Sequence, residues 1–273
     1  MLRRAGTIAD EIAKAKSTIP DAKFVVLANE ESELIELQAH GIFSILANAS
    51  MFVDERVFRP ITGMPVRYEA IYNAALHPYK NHHLCKNIND LALVYYVLDR
   101  SETTEAYGRQ IRELLRGATF LNDTQGQYRK LSYDEIAEAN SQSSVGLCLS
   151  TVEGVMRAAM EYLLCGTPVV SVPSLGGRQR YLHQGNSIFT RPDPESVALA
   201  VKRLGQRNLS RASIRNGALS ILNFERANLL RALNHLVLRE FGQRKYLKSF
   251  EPLREAWTYR SFEDWERYLK EFV

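Results

Sequence analysis

The chain reads as an α/β protein: a Rossmann-like doubly wound parallel sheet, preceded by a short strand-helix-strand segment and followed by helices. Three observations predict it. Short β-branched or aromatic runs alternate with amphipathic stretches, the pattern of a parallel sheet wrapped by helices. From Tyr68 onward six such runs follow one another, enough for one complete doubly wound domain. The composition is that of an ordinary globular protein, with 45% apolar and 24% charged residues, 15 Gly and 9 Pro among 273. That excludes collagen-like, disordered and disulfide-scaffold chains.

Residues 23–29 (KFVVLAN) form the first predicted strand. Residues 30–40 follow as a helix, with Leu34, Ile35 and Leu37 apolar and Gly41 as its C-cap. Residues 42–47 make a second strand. Residues 48–65 lose periodicity and collect Pro60, Gly63 and Pro65, which reads as a linker. The main series then places strands at 68–75, 91–97, 118–121, 145–149, 168–172 and 187–189. Helices are expected at 81–86, 107–115, 133–141, 155–164 and 177–184. Residues 195–204 (ESVALAVKRL) carry an apolar stripe and read as a helix opened by Pro192-Asp193-Pro194, and residues 210–241 as a longer one. The tail holds Trp257, Tyr259, Phe262, Trp265, Tyr268 and Phe272, too aromatic to be left in solvent, and is expected to dock. Three segments result: 1–66 as a reduced N-terminal part with linker, 67–220 as the main domain, and 221–273 as C-terminal helices.

Thirty-five Lys plus Arg against 31 Asp plus Glu give a net charge of +4. That mild excess admits a nucleic-acid partner, or an anionic substrate at a membrane surface, and decides neither. Cys85, Cys148 and Cys165 form no C-x-x-C pair, so neither a disulfide frame nor a zinc ribbon is indicated. No stretch approaches the roughly 18 apolar residues of a membrane span. No apolar signal core follows Met1-Leu2-Arg3-Arg4. The expected compartment is the reducing cytoplasm, with peripheral contact at the inner membrane face as a variant.

The chemistry concentrates in Ser150-Thr151-Val152-Glu153-Gly154-Val155-Met156-Arg157 and the helix that follows. A predicted strand ends at Leu149, a polar turn follows, and a helix begins; ligands of open α/β sheets bind beyond such strand ends. Free N–H groups at the helix start favour an anion. Glu153 stands at the mouth of the turn and Glu161 two helical turns on. Eight residues at about 100° each offset them by roughly 80°, so both border one cleft at different depths. Carboxylates there accept hydrogen bonds from hydroxyls, such as those of a sugar or ribose.

Glu153 and Glu161, Gly154, the run Cys165-Gly166-Thr167-Pro168-Val169-Val170, the pair Gly176-Gly177 and Arg191-Pro192-Asp193 together resemble retaining glycosyltransferases of family 4 and its relatives. The likeness is to the donor-binding domain of the two-Rossmann GT-B architecture. Residues 46–54, together with Phe58-Arg59-Pro60, are similar to that family's interdomain segment. Tyr72-Asn73-Ala74-Ala75-Leu76-His77-Pro78-Tyr79-Lys80 resembles the first donor-domain strand and loop. The resemblance implies that Glu161 holds the nucleotide ribose, that Glu153 lies by the donor sugar, and that Lys80 binds the diphosphate. The backbone N–H groups of Gly154, Val155 and Met156 would face the diphosphate, with Gly176 and Gly177 allowing close approach. The family's arginine has no counterpart, since Ala74 or Ala75 stands in its place, and Arg178 is the candidate substitute.

The implied reaction moves a glycosyl unit from a nucleoside-diphosphate sugar to a hydroxyl of a glycan, lipid-linked or polymer acceptor, with retention and without a metal or organic cofactor. A lysine and a helix N-terminus can meet the charge of the departing diphosphate. The chain has no D-x-D motif, and Asp123 stands alone as a strand-end acid. The resemblance further implies that residues 1–66 are a truncated remnant of the N-terminal Rossmann domain, so the chain is expected to bind donor alone and to transfer slowly without a partner chain, a homo-oligomer mate or a large acceptor.

Simpler readings stand beside these. Glu153 also suits a helix start on dipole grounds alone, Glu161 a solvated helix face, and Lys80 surface charge. His82 and His83 read as surface residues, and His183 as structural or exposed. Two further function classes stay open: a non-catalytic nucleotide-sugar-binding or partner-binding module, and an epimerase of the same architecture, for which no acid/base set is visible. A transferase acting on DNA is a narrower form of the first reading.

Overall fold

In the computed structural model the described residues are 5–97, 101–124, 127–242 and 247–256. The N-terminal part holds helix α1 (Ala5–Thr18), strand β1 (Val26–Ala28), helix α2 (Glu31–Ala39) and strand β2 (Ser44–Leu46). β1 and β2 pair in parallel. α2 and α1 bury a small cluster of Ala5, Ala28, Leu37 and Ile42, flanked by Ile8, Ile12, Val26 and Leu34. The sequence reading assigned nothing to α1, most of whose surface remains open; Ala5 is its one buried residue.

The segment expected as a linker is packed at its start. Ala49–Phe52 is a 3-10 turn, capped where Asn48 Oδ1 accepts the Ser50 N–H at 2.9 Å. Met51, Val53 and Phe58 are buried. Arg215 donates to the carbonyls of Glu55, Phe58 and Leu164, which ties the segment to the main domain.

The main domain runs β3 (Tyr68–Ala75), β4 (Leu91–Tyr96), α3 (Glu102–Leu114), β5 (Thr119–Phe120), the hairpin β6 (Asp123–Thr124) and β7 (Gln127–Tyr128), α4 (Tyr133–Ser141), β8 (Ser143–Cys148), α5 (Arg157–Leu164), β9 (Val169–Ser171), β10 (Ser187–Phe189), α6 (Pro194–Gly205) and α7 (Arg211–Phe241). Its sheet has six strands in the order β10-β9-β8-β3-β4-β5. Every pairing in it is parallel. The chain builds outward from β3 to β5, then returns to the other side of β3 and builds outward again to β10. The order therefore reverses between β3 and β8, and that reversal is the crevice where such sheets bind ligands. The middle strands are buried on both faces, which is why they read as near-continuous apolar runs.

Some elements differ from expectation. Residues 81–86 are not an α-helix: Pro78–Lys80 and His82–Cys85 are 3-10 turns hinged on Asn81, which sits at φ 55°, ψ 41°. Residues 177–184 supply only the turn Arg178–Tyr181, led by Gly177 in the left-handed region. α3 starts at Glu102, five residues early, because the Ser101 side chain caps it. α5 starts at Arg157 rather than 155.

The chain divides into two compact units, Met1–Ile221 and Leu222–Val273, with α7 running from one into the other. In the second, Asn234 exchanges two hydrogen bonds with the Leu247 backbone ahead of α8 (Glu251–Ala256). The aromatic residues from Trp257 to Phe272 lie outside the described residues. No described helix is long and apolar enough to cross a membrane.

Candidate functional site

The site grows from the carboxyl ends of β3 and β8. After β3, Pro78 starts a tight turn that Asn81 ends. The Tyr72 hydroxyl, buried within β3, donates to the Lys80 carbonyl, and Asn81 Nδ2 donates to the Leu149 carbonyl at 3.0 Å. These bonds fix the turn against the end of β8 and turn Lys80 inward, where it is only 2% exposed. Its ammonium forms a buried ion pair with Glu153 Oε1. The second carboxylate oxygen accepts the Ser150 hydroxyl. Burial pushes the Lys80 pKa down, and the Glu153 charge and hydrogen bond oppose that shift.

Arg178 completes this cluster from the far side. Its Nη1 donates to Ser150 Oγ at 2.9 Å and stands 3.9 Å from Glu153 Oε2. Nη2 reaches the carbonyls of Cys148, Ser150 and Val172 at 2.7–3.0 Å, and Nε donates to Ser171 Oγ at 3.2 Å. The guanidinium is thus spent inside the fold, tying the ends of β8 and β9 together. In this arrangement Arg178 holds the turn that carries Glu153, rather than presenting donors to a ligand.

Glu161 faces β3 from α5. Asn73 Nδ2 donates to Glu161 Oε2 at 3.2 Å, and the Asn73 backbone N–H donates to the Tyr162 hydroxyl at 2.7 Å. Burial raises the Glu161 carboxyl to about 7, against the opposing effects of Arg157 and the Asn73 hydrogen bond. Tyr162 fits because Gly146 leaves room: a Cβ there would lie 2.3 Å from the Tyr162 ring. At the end of β4, desolvation raises the Tyr96 phenol first, then Tyr79, Glu153 and Glu161, with Arg157 opposing. These groups therefore share one electrostatic neighbourhood.

Between the two carboxylates, Gly154 and Val155 are partly exposed and Met156 is buried as the N-cap of α5, with no side-chain cap. Among the described residues, none accepts a hydrogen bond from the backbone N–H of Gly154, Val155 or Met156. Gly176 and Gly177 have φ of 123° and 82°. A Cβ on Gly176 would fall 1.3 Å from the Glu153 carbonyl oxygen, and one on Gly177 would fall 2.3 Å from the Asn29 carbonyl oxygen. Gly176 N–H donates to Glu30 Oε2 at 2.7 Å. The close approach these glycines permit is to the chain's own backbone, with the N-terminal segment lying against the turn beside Glu153.

The structure thus brings Lys80, Glu153, Glu161, the 154–156 backbone, Gly176, Gly177 and Arg178 to one edge of the sheet. His82 is buried, not a surface residue; desolvation lowers its pKa to about 3, and Nδ1 lies 3.1 Å from the Tyr107 hydroxyl. Neither Ser150 nor Asn73 drew a role of its own from the sequence. Asn73 carried a usable signal, a polar side chain inside the apolar run of β3. Ser150 carried none. Asp123 is taken by Arg112 and the Tyr95 hydroxyl. Among the described residues no group of three or more His, Cys, Asp or Glu is placed to hold a metal ion.

The family model described as Glycosyl transferases group 1 matches residues 105–220. No curated protein matches the sequence. Sucrose-phosphate synthase from Thermosynechococcus elongatus superposes with a TM-score of 0.59 at 18% identity, covering 77% of this chain and 57% of that one. Anabaena HepE, solved in complex with UDP, gives 0.58 at 17% identity over 77% and 63% of the two chains. A glycosyltransferase from Rickettsia africae gives 0.54 at 15% identity over 76% and 62%. The match thus spans 57–63% of the length of these structures. The chain resembles GT-B glycosyltransferases in fold and, over residues 105–220, group 1 transferases in sequence.

Proposed function

We propose that this chain, similar over residues 105–220 to group 1 glycosyl transferases, is the donor-binding part of a transferase that moves a sugar from a nucleoside-diphosphate sugar to a hydroxyl acceptor. One observation carries the reading. The Lys80–Glu153 pair and Glu161, held by Asn73 of β3, both lie by the crevice between β3 and β8 where the strand order reverses. That crevice is where doubly wound sheets hold nucleotides.

In the proposed reaction Glu161 accepts the ribose hydroxyls and Glu153 the hydroxyls of the donor sugar. The bond from the anomeric carbon to the β-phosphate oxygen breaks, the acceptor oxygen bonds to that carbon on the same face, and the acceptor proton leaves with the diphosphate or solvent. Negative charge grows on the leaving diphosphate. Lys80 has three N–H donors; the bond to Glu153 uses one, which leaves others for phosphate. The unpaired N–H groups of Gly154–Met156 add fixed dipoles that need no reorganisation as the charge develops. On this account a divalent metal is not required.

UDP is the first nucleotide to test, since HepE, a fold neighbour, was solved with it. Incubation with UDP-sugars and candidate acceptors, read by NMR at the anomeric carbon, should show a product of unchanged configuration. An inverted product would overturn the retaining mechanism. A second reading, a nucleotide-sugar-binding module without turnover, draws on the commitment of Arg178 within the fold and on Ala74 and Ala75 in the arginine's place. Saturable donor binding with neither transfer nor hydrolysis would favour it.

A further inference from the structure

A diphosphate carries at least two negative charges, yet two of the three cations that the described residues bring to the crevice already have partners within the fold. Lys80 is paired with Glu153, and Arg178 is spent on carbonyls and hydroxyls. The third is Arg157, the first residue of α5. Its Nε is buried without a hydrogen-bond partner. Among the described residues it makes no ion pair either, Glu161 included, although the two are four residues apart on one helix.

That spacing sets its place. Residues i and i+4 lie on the same face of a helix, about one 5.4 Å turn apart. Glu161 faces β3 through Asn73, so Arg157 stands one turn nearer the carboxyl edge of the sheet on that same face. If Glu161 holds the ribose hydroxyls, the next group along the ligand toward that edge is the phosphate on the ribose 5′ carbon. A guanidinium with an unsatisfied, desolvated N–H is costly until an acceptor arrives. Its planar fork suits phosphate oxygens.

We propose that Arg157 is a second diphosphate-binding cation of this chain beside Lys80, supplying from the start of α5 the charge absent at Ala74 and Ala75. The inference rests on the nucleotide-sugar reading and adds to it a residue that motif spacing does not assign. Arg157 also lowers the cost of ionising Glu161, so it couples the two ends of the nucleotide.

The test measures UDP and uridine binding, by NMR titration, to the wild-type chain, Arg157→Ala and Arg157→Lys, with circular dichroism confirming the fold. Arg157→Ala should weaken UDP about tenfold or more, the scale of a charge-assisted hydrogen bond, and change uridine by less than about twofold. Arg157→Lys should recover part of the loss, and the salt dependence of UDP binding should flatten in Arg157→Ala. Equal UDP affinity in wild type and Arg157→Ala overturns the proposal and leaves the nucleotide reading standing. Equal losses for UDP and uridine also overturn it, marking a structural role. A wild-type chain that binds none of UDP, GDP, ADP or TDP overturns the nucleotide reading and this proposal with it.

Discussion

Glu161 is the most informative single titration in the molecule. Its carboxyl is raised from an ordinary value to about 7 by burial, so the folded chain favours the protonated form between the two values. Its contribution to stability is therefore greatest below the unfolded carboxylate pKa and is lost as pH rises through 7. On the proposed reading ligand binding runs the other way, because ribose hydroxyls would donate to the ionised form. Affinity for a nucleotide sugar, whose esterified diphosphate does not titrate there, should rise from about pH 6 to about pH 8. Glu161→Gln should flatten that profile and weaken binding by about 1–3 kcal/mol; a wild-type profile that is already flat would contradict the assignment. The Lys80–Glu153 pair gives a second test at this scale. Lys80→Met should cost about 3–5 kcal/mol in urea unfolding by stranding a buried carboxylate, and adding Glu153→Met should recover much of it. Losses that simply add would mean the pair is uncoupled. Glu153 and Glu161 were legible because their spacing within a strand-turn-helix pattern says on which edge of the sheet they project, whereas Lys80 was singled out only by the family resemblance. Ser150 and Arg178 were not, since what they bond to depends on the close approach of the β8 and β9 ends.

At the scale of elements, the site is held by how α5 lies on the sheet. Gly146 in β8 makes space for Tyr162 of α5, whose hydroxyl takes the Asn73 N–H, and Asn73 in turn holds Glu161. Gly146→Ala should destabilise the fold by about 1–3 kcal/mol through overpacking and, through Tyr162 and Asn73, lower nucleotide affinity. Thermal melts and titrations together check this; an unchanged melting temperature with unchanged affinity would break the chain of contacts. The strands and most main-domain helices were readable because each is either a buried apolar run or an amphipathic repeat. The loops after β3 and β9 were not, because tight turns hinged on Asn81 and Gly177 mimic the composition of short helices. α1 was missed because its apolar side is narrow, with one buried residue.

For the whole molecule, the consequential feature is how the N-terminal βαβ segment meets the main domain within the first compact unit. Glu30 accepts the Gly176 N–H, and Asn48 Nδ2 donates to the Asn29 carbonyl beside Gly177. The predicted linker was misjudged from its Pro and Gly content; its packing comes from long-range bonds to Arg215 that no local pattern shows. Donor recognition on this account needs only the crevice between β3 and β8, while acceptor binding and closure involve surfaces beyond it. The central claim is therefore a claim about donor binding. Calorimetric titration of UDP-, GDP-, ADP- and TDP-sugars into the wild-type chain, in excess EDTA, tests it most directly. The account predicts saturable binding of at least one donor, undiminished by the chelator. No binding by any of them, or binding that returns only when Mg²⁺ or Mn²⁺ is added, would contradict it.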